Sequence, residues 1–221
     1  FTGAALGLLN GIITTRFKLP SLLVTLGTML AWRGAVFLLT QGYDIQLREI
    51  RNTLFYAFFG GDVFGIPVQF IWSCILFVIF YLILNYHKLG NWITCTGDNQ
   101  EAARNMGIPV NETKIICFTL VGLVSAFSGI LVVTNIGYYF PLIGSEDVYL
   151  FPILTAVFMG GTPVTGGAGS LTGTLVAMFI LSFLASGLIS LGITGFATRI
   201  AYGSLLVTVL VLNARALKRR F

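Results

Sequence analysis

The sequence predicts an all-α fold: a polytopic transmembrane helix bundle with a glycine-rich broken or half-helix and one short cytoplasmic helix. Of its 221 residues 56% are hydrophobic and only 10% charged, too little polar surface for a soluble domain of this size to cover itself. Apolar stretches near the ~20 residues needed to cross a hydrocarbon core recur along the chain, separated by Gly, Pro, Asn or charged residues. The alternation of apolar and polar residues that a transmembrane barrel requires is missing. The whole chain, 1–221, reads as one membrane domain with a polar loop over 87–114 and a basic tail over 214–221.

Taken in order, the first apolar stretch, Phe1 to about Thr15, is shorter than a full span and predicts that further helices precede it. Pro20 suits the entrance of a span from Ser21 to Thr40, which carries Arg33 near its far end. A mixed polar segment, Gln41 to Gly65, leads to a second apolar run from about Ile66 to Tyr86, closed by His87 and Lys88. His87 reads as a solvated interfacial residue, since no second His or paired acid accompanies it. After the polar loop, a span from Lys114 to Asn135 meets an acidic, aromatic stretch with Tyr138, Tyr139, Pro141, Glu146 and Asp147. Leu150 to Met159 then offers about ten apolar residues, on the order of 15 Å of helix, which predicts a half-helix that stops inside the protein. The break that follows carries Gly160, Gly161, Gly166, Gly167 and Gly169. Irregular backbone at membrane depth is tolerated only where protein or water covers it, so the break is expected to line a cavity. The last span runs from about Phe196 to Leu212.

Two sets of glycines have helix-packing spacing, Gly3, Gly7 and Gly11 on one face and Gly169 with Gly173 on another. The break is no phosphate loop, because no Lys follows its glycines. Cys74, Cys95 and Cys117 show no metal or disulfide spacing and are expected to be free thiols. No metal site, nucleophile with a base, or pair of carboxylates at membrane depth is legible, so the chain is not expected to be an enzyme. The net charge of +5 does not signal nucleic acid, because the basic residues flank apolar segments without aromatic interleaving.

Charge sets the orientation. A cytoplasmic tail groups Arg16, Lys18, Lys88, Arg104, Lys114, Arg215, Lys218, Arg219 and Arg220 on the inner side, nine of thirteen basic residues. Asp44, Glu49, Asp62, Glu146 and Asp147 fall outside, whereas Arg33, Arg48, Arg51 and Arg199 fall outside or within membrane segments. The polar loop therefore faces the cytoplasm, which makes the Asn111-Glu112-Thr113 sequon a coincidence. Within the loop, Asp98 or Asn99 suits a helix cap, Glu101 a first turn, Ala102 and Ala103 a helix interior, and Gly107 a stop before Pro109. A short helix of this kind lacks the apolar face that lipid adsorption needs and fits a protein partner better.

The pattern Gly97-x-Asn99-x-x-Ala102-Ala103-x-x-x-Gly107-Ile108-x-Val110 resembles the ATPase-coupling loop of permease subunits of the ribose-type sugar ABC importers, a family similar in turn to branched-chain amino-acid importer permeases. Further landmarks follow in that family's order: Gly7-x-x-Asn10-Gly11, Leu19-Pro20-Ser21 with Val24-Thr25-Leu26-Gly27-Thr28-Met29, Arg33-Gly34, Gly160-Gly161-Thr162, Thr165-Gly166-Gly167-x-Gly169, and Gly173-Thr174. Two elements differ: Cys117-Phe118-Thr119-Leu120 stands where Ile-x-Leu-Pro is usual, and Leu150-Phe151-Pro152 where many ribose-type members carry Glu-Leu-Asp. These differences leave the solute open among a sugar, a nucleoside, a furanone signal and an amino acid.

The resemblance implies an importer permease in a bacterial inner (plasma) membrane, multi-pass with a cytoplasmic C-terminus and working by alternating access. It implies a cytoplasmic ABC ATPase holding ATP and Mg²⁺, a second permease subunit (identical or different), an extracytoplasmic solute-binding protein and a small polar solute as partners, with membrane lipid around the chain and no cofactor on it. The coupling residues would be Gly97, Asp98, Asn99, Glu101, Ala102, Ala103, Arg104 and Gly107. From the residues themselves, the uncharged polar groups within spans, Asn10, Thr25, Asn135, Thr155 and Thr162, are the candidates for a solute path, although interhelical hydrogen bonding is the commoner use of such groups. An ion-coupled secondary transporter or channel is the alternative and needs an ionisable residue within a span, for which only Arg33 and Arg199 offer themselves. A non-transporting scaffold would leave the glycine-rich break without a purpose.

Overall fold

The computed structural model describes residues 1–47, 53–63, 65–141, 143, 149–164, 166–192 and 195–218. Arg48, Glu49, Arg51, Glu146, Asp147, Thr165, Arg219 and Arg220, named above, lie outside them. Ten helices appear among the described residues: α1 (Thr2–Arg16), α2 (Ser21–Thr40), α3 (Leu54–Phe59), α4 (Val68–Tyr86), α5 (Lys88–Asp98), α6 (Gln100–Asn105), α7 (Val110–Ile136), α8 (Phe151–Met159), α9 (Leu171–Ser190) and α10 (Gly195–Lys218). The strands are two-residue pieces, β1 (Ile45–Gln46), β2 (Asp62–Val63), β3 (Ile66–Pro67) and β4 (Tyr138–Tyr139). The fold is all-α. Helices α2, α4, α7 and α9 are long and apolar enough to cross a membrane, and their exposed Leu, Ile, Val and Phe side chains suit a lipid solvent.

The chain divides into two compact units, one of residues 1–92 and 103–143, the other of residues 93–102 and 144–221. In the first, α1 packs along α7. Gly3, Gly7 and Gly11 are all buried there, on the face predicted for packing, and a Cβ on Gly7 would overlap the Phe118 carbonyl oxygen. Thr15, Thr25, Thr28 and Thr119 turn their hydroxyls back onto carbonyls of their own helices, which satisfies them without water.

The described residues between Gln41 and Gly65 form short strands and a helix, which their mixed composition does not predict. β1 pairs antiparallel with β4, Ile45 opposite Tyr139, and β2 pairs with β3 in a tight hairpin. Between them α3 packs its rings on α4 and α7: Phe58 and Phe59 meet Trp72, Phe59 and Trp72 meet Phe127, and the Trp72 indole N–H donates to the Phe58 carbonyl at 3.1 Å. Two spans have different bounds from those expected. α7 begins at Val110, four residues before Lys114, and the carbonyl of its cap residue Pro109 accepts the Thr113 N–H at 2.9 Å. α10 runs on through Lys218, so the first half of the expected tail is helical.

In the second unit α8, α9 and α10 pack together. Ala156, Ala177 and Leu181 form the buried core, flanked by Tyr202 and Leu205. Gly160 lies against Gly173 and Thr174 while Ala156 meets Ala177 further along, so α8 runs antiparallel to the first half of α9. This changes where the half-helix ends. Met159 and Gly160 stand level with the first turn of the full-length α9, and it is the beginning of α8, at Phe151 and the buried Pro152, that lies deeper along that helix.

Candidate functional site: a capped polar segment and a glycine loop

The polar loop contains two consecutive helices. α5 was hidden in the sequence by Gly90 and Gly97, but Leu89, Trp92, Ile93 and Thr96 recur at helical spacing and form its inward stripe, with Thr96 buried. This apolar stripe belongs to α5; the short helix expected over 98–107 is α6, a separate element. One residue, Asn99, separates α5 from α6. Its N–H continues the α5 ladder to the Cys95 carbonyl at 3.1 Å, and its Oδ1 accepts from the Glu101 and Ala102 N–H groups at 3.0 Å each. Of the two expected caps, Asn99 is the one used.

The far end of α6 closes as firmly. Gly107 adopts φ +79°, its N–H donates to the Arg104 carbonyl at 2.9 Å, and the Ile108 N–H reaches back to the Ala103 carbonyl at 3.0 Å. This pair of bonds is the Schellman closure. Ala103 is fully buried, whereas Asp98, Asn99, Gln100, Glu101, Ala102, Arg104 and Asn105 are exposed. Arg104 Nη2 also donates to Asn111 Oδ1 at 3.4 Å. Six residues make a helix too short to persist alone, and both its ends are fixed by the chain, so an exposed polar surface is held in one shape.

The glycine-rich break is a compact loop rather than an extended tear. At its neck, a Cβ on Gly160 would stand 2.6 Å from the Thr174 Cα. Above the neck Gly169 faces Thr162, with 3.2 Å between a Cβ placed there and the Thr162 Oγ1. At its tip Gly166 and Gly167 have φ +86° and +82°, a conformation that L side chains rarely adopt. Ser170 caps α9, its Oγ accepting the Gly173 N–H at 3.0 Å. Gly169 precedes α9, so the expected Gly169–Gly173 pair shares no helix face; Gly173 packs on Gly160 instead. A groove of about 420 Å³ opens beside the neck, lined by Met159, Ser170, Thr172, Gly173, Val176 and Ile180 among others.

The tip of that loop rests on the polar segment. A Cβ on Gly97 would stand 2.5 Å from the Gly167 nitrogen, and one on Gly167 would stand 2.9 Å from the Asp98 Cα. Two motifs about seventy residues apart in the sequence thus touch backbone to backbone.

The five solute-path candidates fall on five different segments of the chain. Asn10, Thr25 and Asn135 lie on α1, α2 and α7, Thr155 on α8 and Thr162 in the glycine loop. Thr155 is fully buried and donates to the Phe151 carbonyl at 2.7 Å. Thr25 donates to Ser21 and Leu22 carbonyls. Among the described residues no group of three or more His, Cys, Asp or Glu converges as a metal site.

Comparison with known proteins agrees with this layout. Residues 1–214 match the family described as branched-chain amino acid transport system / permease component. A xylose/arabinose import permease of Sulfolobus acidocaldarius is 35% identical over 94% of this chain and 56% of its own length. The ribose import permease of Escherichia coli K12 is 33% identical over 96% of the chain and 66% of its own length. An L-arabinose ABC transporter permease of Azospirillum brasilense is 33% identical over 99% of the chain and 63% of its own length. The chain thus spans between about half and two thirds of these relatives. No solved structure matches it significantly. With the family matched along almost the whole sequence and four membrane-length helices to match, the chain is a multi-pass membrane protein that belongs to this permease-component family.

Proposed function

We propose that the chain is the transmembrane permease subunit of an ATP-driven importer that passes a sugar, such as a pentose, across the bacterial inner membrane by alternating access. The observation that carries the reading is α6, a six-residue helix fixed at both ends by Asn99 and Gly107, whose Glu101, Ala102 and Arg104 are exposed together with Asp98 at the end of α5. A rigid polar surface on an otherwise apolar chain is suited to receive force from another protein. A sugar solute is supported by the similarity to a xylose/arabinose import permease, a ribose import permease and an L-arabinose ABC transporter permease.

The bias of basic residues toward one set of span ends supports a cytoplasmic polar segment and C-terminus. A separate cytoplasmic ABC ATPase would hold ATP and Mg²⁺ and dock on the segment. A second permease subunit, identical or not, would complete the path, and a binding protein would deliver solute at the outer face. ATP binding can shift the transporter between inward and outward states only by its difference in binding free energy for the two, so α6 must take different positions in them. Asn10 on α1 and Asn135 on α7, with Thr25, Thr155 and Thr162, would be the polar groups that meet solute.

Helices α2, α4 and α9 contain no acidic residue, and α7 only Glu112 in its first turn, which fits an ATP-driven path better than one coupled through a membrane-embedded carboxylate. The test is co-purification. A tagged full-length chain from its native membrane is expected to bring down an ATPase, and Glu101→Lys is expected to release it. Recovery of no ATPase, or intact uptake with both Glu101→Lys and Gly107→Val, contradicts the reading.

A further inference from the structure

The glycine loop between α8 and α9 makes direct backbone contact with the segment assigned above to the ATPase. Gly97 and Gly167 approach so closely that neither has room for a Cβ, and Gly166 adds a third contact, 3.1 Å between a Cβ placed there and the Gly97 carbonyl oxygen. A second observation concerns compactness. Residues 93–102 cluster with 144–221, while the chain on either side of them, 88–92 and 103–109, clusters elsewhere. The stretch containing Thr96, Gly97 and Asn99 therefore groups with the second unit, which it meets at the loop glycines Gly166 and Gly167. A third is the Thr96 hydroxyl, which is buried and has no hydrogen-bond partner among the described residues. An unpaired buried hydroxyl destabilises the arrangement that holds it, and one that offers it a partner relieves that cost.

From these we infer that the Gly97–Gly167 contact is a transmission joint: displacement of the polar segment by the ATPase is passed through Gly97 onto the loop tip, and from the loop neck at Gly160 and Gly173 onto the packed pair α8 and α9. The inference rests on the importer reading above. Gly97 and Gly167 are positioning residues; they touch neither ATP nor solute. A side chain at either holds the segment and the loop apart, so the segment still follows the ATPase while α8 and α9 no longer follow the segment. Stiff packing is what makes such a contact transmit, because a close-packed joint has no slack in which a displacement is lost.

The experiment uses the complete assembly of permease, ATPase and binding protein in proteoliposomes, with labelled pentose as the probe and solute taken up per ATP hydrolysed as the readout. Gly97→Ala and Gly167→Ala are each expected to lower that ratio by about tenfold, the size of an ordinary coupling between sites. Gly187→Ala, a helical glycine with open space around it, is expected to leave it unchanged. A purely structural role lowers uptake and hydrolysis together and leaves the ratio where it was, so ratios within twofold of the unsubstituted assembly for both variants overturn the joint. Should the glycine variants fail to assemble, Thr96→Val decides, since it keeps the shape and adds no volume. It is expected to shift the ratio by about fivefold through loss of the unpaired hydroxyl, and an unshifted ratio overturns the joint. An unsubstituted assembly that retains no ATPase defeats the importer reading and the joint with it. One that transports normally while the variants do too defeats the joint alone.

Discussion

Gly7 on α1 and Gly122 on α7 face each other with no side chain between them: a Cβ placed on Gly122 would stand 2.9 Å from the Gly7 Cα. In lipid there is little hydrophobic gain from bringing two apolar helices together, and close backbone packing has to hold them. Gly122→Val is expected to separate α1 from α7 and destabilise the protein by about 2 kcal/mol. Gly129→Ala on the same helix, with open space around it, is expected to leave the thermal midpoint in detergent within about a degree. Equal midpoints for the two variants would show that the helices do not meet where the glycines put them.

The Asn99 carboxamide supports two N–H groups at the start of α6. Asn99→Ala is expected to weaken the helix by about 1 kcal/mol, and Asn99→Asp or Asn99→Ser to restore most of it. Amide hydrogen exchange over residues 100–105 is the measurement: faster in the Ala variant, near normal in the other two. Recovery of the ATPase on the tagged chain should fall and return in the same order.

Leu181 is 1% exposed and closes the contact of α8 with α9. Leu181→Ala leaves a cavity that rigid neighbours cannot fill and is expected to cost on the order of 3 kcal/mol. Proteolysis in mild detergent should then cut between residues 149 and 170 at lower protease concentration than in the unsubstituted chain. An unchanged digestion pattern would mean that α8 is held by something other than this core.

Trp72 joins α3 to the bundle by stacking and by its indole N–H. Trp72→Phe retains a ring but loses the donor to the Phe58 carbonyl, an expected loss of about 1 kcal/mol, whereas Trp72→Ala should free α3 altogether. A fluorophore on a cysteine introduced at Thr53 reports the difference as a gain in rotational freedom, small for Phe and large for Ala.

The four membrane-length helices were legible because their apolar runs have the length of a bilayer and are bounded by Pro, Gly or charge, as at Pro20, Pro67 and Tyr86 before His87. α6 was legible for a local reason, since Asn99 and Gly107 supply cap and stop within reach of the residues they serve. α5 was obscured because Gly90 and Gly97 have the composition of a loop, and their packing roles, against the Leu84 carbonyl and against Gly167, appear only in three dimensions. The pairing of Ile45 with Tyr139 joins segments about ninety residues apart with two-residue strands, too short to leave a period in the sequence. Direction was lost for the half-helix: ten apolar residues state a length but not which end lies deep, and that is set by Gly160 meeting Gly173. The Gly97–Gly167 contact was hidden for the same reason, each glycine having been read within its own motif.

The central claim is that solute crosses this chain at the expense of ATP hydrolysed on a partner. Uptake of labelled pentose into proteoliposomes holding the complete assembly, with ATP inside or outside and with proton and sodium gradients collapsed by ionophores, tests it most directly. The account predicts uptake that requires ATP on the side of the polar segment and survives collapse of both gradients. Uptake that proceeds without ATP, or that disappears with either gradient while ATP is present, would contradict it.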